Sequence, residues 1–252
     1  MKIVAVVSAK GGVGKTTVTA NLSTALKYAG HQVLTVDLDP QNALRFHLGL
    51  GPKHIGGTSR ATLSGQHWRD AVVETASGVF TLPYGAVNEE DRRAFEAQLE
   101  ADPDWLVRGL QTLELAEDDL VLLDTPPGPS VYMRQALSSA NLVVIVTLPD
   151  AASYATMPMM ESLVQTYCLH QAGFIDYTYV INQLDSSKQL AKDVTQVMRE
   201  NFGNRIVGLI HQDESVCEAL AYDQSVLDYD NLCQATRDFI ACARQISALL
   251  QR

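Results

Sequence analysis

The chain has 252 residues, 46% of them apolar, enough for a sizeable core and too many for gross disorder. Its 19 Lys and Arg face 29 Asp and Glu, and a net charge of −10 argues against broad nucleic-acid binding as its main task. No apolar run approaches the roughly 18 residues of a membrane-crossing helix, so a cytoplasmic protein without direct membrane insertion is expected.

An apolar run, Ile3–Val7, predicts the first strand. It leads straight into a Gly-rich turn, so the start is not read as a removable signal peptide. The turn is Lys10-Gly11-Gly12-Val13-Gly14-Lys15-Thr16-Thr17, and it opens a helical pattern from Lys15 to Tyr28. Glycines let consecutive N–H groups converge on one anion, and the helix N-terminus adds partial positive charge there. Lys15 is placed to neutralise β/γ-phosphates, and the Thr16 hydroxyl to hold Mg²⁺.

A second strand, Val33–Asp37, ends in Asp37-Leu38-Asp39-Pro40. The two-residue period puts Asp37 and Asp39 on one face, where two like charges need a cation nearby. Gly49 to Gly65 reads as a connecting loop that carries Lys53, His54 and Arg60. Helices are then predicted at Trp68–Thr75, Glu89–Leu99 and Trp105–Leu115, with a strand at Val79–Pro83 between the first two. Leu120–Asp124 is an apolar strand delivering Asp124 to a Pro/Gly turn that ends at Gly128.

Further strands are predicted at Leu142–Thr147, Tyr177–Asn182 and Ile206–Ile210. The helices around them are Tyr132–Ser138, Ala155–Cys168, Lys188–Glu200, Ser215–Tyr222 and Asp230–Leu250. Asn182, a poor strand residue, has a carboxamide suited to reading an adenine edge. Alternating strands and helices predict an α/β fold, a doubly wound, mostly parallel sheet with helices on both faces. No linker or repeat divides the chain, so one domain over 1–252 is expected. Cys168, Cys217, Cys233 and Cys242 form no C-x-x-C pair and read as small buried thiols.

The cradle departs from the ordinary phosphate-loop pattern, with Ala9 where a glycine is usual and an extra lysine, Lys10. This form resembles the MinD/ParA group of P-loop ATPases. The resemblance implies ATP and Mg²⁺ as ligands and a homodimer that sandwiches ATP, Lys10 reaching the partner subunit's nucleotide. It implies catalytic roles for Lys10, Lys15 and Asp39, the last positioning the attacking water. Gly11, Gly12, Val13, Gly14, Thr16 and Thr17 complete the phosphate site, and Asn182 contacts adenine. Thr16 binds the metal directly, with Asp37, Asp39 and Asp124 in its outer shell. Glu218 lies where some relatives touch the partner's nucleotide. The nitrogenase iron protein shares the cradle, but no cysteine here stands where its cluster ligand is expected.

Outside the cradle, Ser64–Val72, Leu82-Pro83-Tyr84-Gly85 and Leu209–Ser215 through Ala219-Leu220-Ala221 resemble the BcsQ family, encoded with bacterial cellulose synthase. That family shares the departure at His211-Gln212-Asp213 from an Ile-Pro-Arg base loop. The resemblance implies a nucleotide-dependent assembly factor that works with a small companion subunit and other cellulose-operon proteins at the inner membrane, recruited peripherally by them. A partition or division-site ATPase and an ATP-holding scaffold without turnover are the rival readings. The terminal stretch, Ala241 to Arg252, has only two basic residues and reads as a packing helix rather than a membrane anchor.

Overall fold

A computed structural model describes residues 1–251; Arg252, which closes the terminal stretch above, lies outside them. The first half of the chain forms β1 (Lys2–Val7), α1 (Lys15–Tyr28), β2 (Val33–Asp37), α2 (Leu44–His47), α3 (Thr58–Ser64), β3 (Val73–Glu74), β4 (Phe80–Leu82), α4 (Glu89–Ala101), α5 (Trp105–Gln111) and β5 (Leu120–Asp124). The second half forms α6 (Val131–Ser139), β6 (Leu142–Thr147), α7 (Ala151–Tyr154), α8 (Met157–Tyr167), β7 (Asp176–Leu184), α9 (Gln189–Phe202), β8 (Ile206–His211), α10 (Glu214–Ala221), α11 (Val226–Tyr229) and α12 (Gln234–Leu250).

The strands make one eight-stranded sheet in the order β3-β4-β2-β5-β1-β6-β7-β8. Every ladder is parallel except β3 with β4. Strand periodicity splits the core in two. Ile3, Ala5 and Val7 of β1 and Val121 and Leu123 of β5 pack on one face, with Phe95, Leu106 and Tyr132 from α4, α5 and α6. Val4, Val6, Leu120 and Leu122 point to the other face, against Leu22 and Leu26 of α1 and Phe239 and Ile246 of α12. The doubly covered, mostly parallel sheet is the architecture expected from the alternating runs.

Several elements differ from the sequence expectation. Trp68–Thr75 is not a helix: a 3₁₀ turn ends at Ala71, and β3 follows. The cause is a tight hairpin, with Thr75 N–H donating to Val79 O at 2.9 Å and Gly78 at φ +76. The β-branched pair Val72-Val73 suits the extended backbone. The stretch expected to be a plain loop contains α3. Its start is docked by Thr58 N–H to Pro83 O at 2.9 Å and Ser59 N–H to Tyr84 O at 3.0 Å.

Ala155–Cys168 begins late and is preceded by α7, capped by the Asp150 carboxylate accepting from Ser153 N–H. The last helix starts at Gln234 rather than Asp230, because Cys233 Sγ caps it and Asp230 ends α11. All four cysteines are free; Cys168 and Cys242 are buried as expected, whereas Cys217 is exposed and Cys233 half-buried. No helix among the described residues is long and apolar enough to cross a membrane.

Candidate nucleotide site

The Gly-rich turn connects β1 to α1 at the C-terminal edge of the sheet, where parallel α/β folds hold ligands. Gly12 and Gly14 both take φ +79, a left-handed conformation that a side chain would oppose. Gly11 and Gly12 are exposed and Val13 is buried, anchoring the loop to the α1 side of the core. Thr16 and Thr17 are half-buried in the first turn of α1. Lys10 is half-buried at the loop entrance and makes no ion pair among the described residues. Ser8 Oγ donates to Lys10 O at 2.9 Å, and Gly128 N–H donates to Ser8 O at 2.9 Å, tying the turn after β5 to this entrance.

Asp124, the last residue of β5, faces α1. Its Oδ1 accepts from Lys15 Nζ at 3.3 Å and from Thr19 Oγ1 at 3.1 Å. Both members of the ion pair are buried, the Lys15 and Asp124 side chains being 6% and 1% exposed. Asp124 Oδ2 is buried and accepts no hydrogen bond. Asp37 stands in register with Asp124 across the β2–β5 ladder and is fully buried. Its Oδ1 accepts from Asp39 N–H at 2.9 Å and its Oδ2 from Leu44 N–H at 3.3 Å.

Burial pushes the Asp37 carboxyl well above the ordinary aspartate range, and the Asp124 charge pushes it the same way. β2 ends at Asp37, so Asp39 lies past the strand, in the turn that follows, and not on the strand face expected for it. Burial raises Asp39 as well, against the pull of Gln41 N–H and of the Lys15 charge. His47 of α2 is pushed down by burial, the Asp124 charge opposing.

Three carboxylates gather at this edge, Lys15 pairs with Asp124 alone, and the second oxygen of Asp124 is left without a partner. This donor set fits Mg²⁺, which keeps several waters and is held by few protein groups together with phosphate oxygens. Thr16 would bind it directly, with Asp124 behind. No group of three or more His, Cys, Asp or Glu among the described residues is arranged to hold an ion alone.

The structure thus brings Lys15, Thr16, Asp37, Asp39 and Asp124 together around the loop. Asn182 lies against the same loop, but its Nδ2 donates to Val13 O at 2.9 Å. The base-loop segment is bolted to α12: His211 N–H and Nδ1 both reach Asp238 Oδ2 at 2.9 Å, and Ala235 N–H donates to Asp213 Oδ2 at 3.1 Å. Sequence reasoning missed Thr19. Its position one helical turn after Lys15 was the available signal, because residues four apart share a helix face.

Comparison with known proteins agrees with this geometry. Residues 1–246 match the family model described as cellulose biosynthesis protein BcsQ. The chain is 30% identical to the cellulose biosynthesis protein BcsQ of Escherichia coli K12, over 96% of this chain and 93% of that protein. It is 27% identical to the chromosome partitioning protein ParA of Caulobacter vibrioides, over 98% of this chain and 94% of that one. Its fold superposes on the septum site-determining protein MinD of Pyrococcus horikoshii, solved with Mg-ADP, with a TM-score of 0.78 at 26% identity, covering 98% of this chain and 96% of the other. A MinD/ParA-type P-loop ATPase by loop, sheet order and likeness, the chain belongs to the BcsQ family of cellulose-biosynthesis proteins.

Proposed function

We propose that the protein binds Mg·ATP in the β1–α1 loop, hydrolyses it slowly, and in its ATP state closes a two-fold dimer that serves the assembly and localisation of the cellulose synthesis and secretion apparatus. The observation that carries this reading is the buried Lys15–Asp124 pair beside an orphaned Asp124 oxygen. A lysine that pairs with Asp124 at the tip of β5 would be free to turn to phosphate if Mg²⁺ nearby offset the charge of that carboxylate. Mg²⁺, when bound, supplies positive charge to the β- and γ-phosphate oxygens.

The remaining chemistry belongs to the chain. Asp39 Oδ1 accepts from Gln41 N–H at 2.9 Å, which fixes the carboxylate and leaves Oδ2 for the attacking water. That water attacks the γ-phosphorus as the bond to the β–γ bridging oxygen breaks, and Asp39 orients it. Lys10 sits at the loop mouth with Lys15 already filling the inner place. A second subunit's γ-phosphate is the partner its charge suits, and two sites closed face to face would exclude water.

A small companion subunit and other cellulose-operon proteins would hold the dimer at the inner membrane, with the protein itself in the cytoplasm. Likeness to a partition protein supports a rival reading, in which the ATP dimer is retained on DNA. The −10 charge weighs against it. The test is co-purification from the native host with and without ATP, beside ATP-dependent retention on DNA. ATP-dependent recovery of cellulose synthase subunits supports the secretion role, and DNA retention without them overturns it.

A further inference from the structure

The Asp124 side chain has two hydrogen-bond partners among the described residues, and both come from α1. Lys15 Nζ donates to Oδ1 at 3.3 Å, and Thr19 Oγ1 donates to the same oxygen at 3.1 Å. Residues four apart share a helix face, so one face of α1 meets the tip of β5 at two points. A nucleotide affects the two partners differently. Lys15 is the phosphate-binding cation, so it gives up Asp124 when the site fills. Thr19 is fully buried, one turn further along the helix, and has no phosphate to turn to.

Thr19 also differs from the other buried hydroxyls of its helix. Ser23 and Thr24 donate to Ala20 O of α1 itself, at 2.7 and 3.2 Å. Such back-bonding satisfies a buried hydroxyl without help from another element. Thr19 Oγ1 has the same arrangement with Lys15 O, at 3.0 Å, and reaches Asp124 besides. One hydroxyl proton therefore faces two acceptors. The bond to Lys15 O selects one of the rotamers open to a helical threonine, and that rotamer sets the hydroxyl against Asp124 Oδ1.

With Oδ1 held in this way, Oδ2 is the oxygen left open, buried and without a partner. A buried carboxylate that lost Lys15 and had no other donor would be unsatisfied at both oxygens and free to turn. The Thr19 hydroxyl is the one side-chain contact that survives the departure of Lys15.

We propose that Thr19 is a positioning residue for the metal side of the site. It holds Asp124 through the exchange in which Lys15 leaves that carboxylate for phosphate, and so keeps Oδ2 turned to the hydration shell of Mg²⁺. The proposal rests on the Mg·ATP reading above and assigns the hold on the carboxylate to a residue outside the phosphate loop. Outer partners of this kind fix the groups around a metal, and losing one typically costs about 10–100-fold in metal affinity.

Calorimetric titration with ATP, in excess Mg²⁺ and in EDTA, tests this on the wild-type protein, Thr19→Val and Thr19→Ser. Valine keeps the shape and removes the hydroxyl; serine keeps the hydroxyl. The wild type should bind ATP more tightly with Mg²⁺ than without it. In Thr19→Val that gain should shrink about tenfold, while the affinity in EDTA stays within about twofold of wild type, less than a typical hydrogen bond. Thr19→Ser should keep the wild-type gain. Thr19→Ala, which sets no methyl group against the carboxylate, carries the same comparison if Thr19→Val does not fold. A threonine with only a structural role predicts equal losses with and without Mg²⁺. Equal losses, an undiminished gain without the hydroxyl, a serine variant as impaired as the valine one, or a wild type indifferent to Mg²⁺ overturns the proposal while ATP binding stands. A wild type that binds ATP under neither condition overturns the Mg·ATP reading itself.

Discussion

Asp37 and Asp124 stand side by side in the β2–β5 ladder, two carboxylates in register on the sheet face that α1 covers. Lys15 reaches one of them. Asp37 has only backbone N–H groups for partners. The fold therefore keeps a proton on Asp37, and one on Asp39, to higher pH than the ordinary aspartate value of 3.8.

That shift has a sign for stability. A carboxyl raised in the fold contributes fully below the unfolded value, and its contribution declines as pH climbs through the raised folded one. Asp37→Asn cannot ionise. Between about pH 4 and about pH 8, without nucleotide or Mg²⁺, the melting temperature of Asp37→Asn should rise relative to that of the wild type. A difference that is flat with pH would show that Asp37 does not titrate in the fold.

Lys15→Ala removes the only cation bonded to Asp124 among the described residues. Near neutral pH the variant should lose on the order of 3 kcal/mol in denaturant unfolding, since one partner of a buried pair is left uncompensated. Its affinity for Mg·ATP should fall by at least about tenfold, the worth of a charge-assisted contact, and calorimetry reads this directly.

Asp39→Ala separates binding from turnover. Its carboxylate touches neither Lys15 nor Thr16 by hydrogen bond, so ATP affinity should stay within about twofold of wild type, less than a typical hydrogen bond. Phosphate release should vanish. Wild-type turnover in this variant would remove Asp39 from the mechanism.

Lys10→Ala should leave the ATP affinity of the single chain nearly intact and weaken ATP-dependent association. Light scattering across protein concentration, with and without Mg·ATP, measures it. Equal dimer populations in wild type and variant would remove Lys10 from the interface.

Gly109→Ala tests the opposite face. A methyl group there would collide with the Trp68 ring, which rests on α5. Overpacking should cost about 1–3 kcal/mol, set against roughly 1 kcal/mol gained from alanine in a helix. Thermal unfolding should show the loss, while ATP affinity stays unchanged.

The central strands and the phosphate loop were legible because buried parallel strands read as continuous apolar runs and the loop needs consecutive glycines. Asp124 could be placed from its strand tip alone. β3 could not, since Val73-Glu74 is a two-residue strand formed by a hairpin and by pairing with Thr81 and Phe80, not by its own pattern. α3 was hidden for the same reason: its start is held by the carbonyls of Pro83 and Tyr84, far along the chain. Asn182 was read from sequence as a base-contacting carboxamide; its contact with Val13 of the loop depends on a side-chain direction that residue type does not encode.

The chain has two tryptophans, and they meet edge to face, with ring centroids 4.9 Å apart. Both indole N–H groups donate to one hydroxyl, Thr62 Oγ1, at 3.4 and 3.2 Å. All indole emission therefore comes from a single neighbourhood beneath α3 and α5. A lone threonine governs the polarity felt by both fluorophores, so the intrinsic spectrum is a built-in optical gauge of that layer.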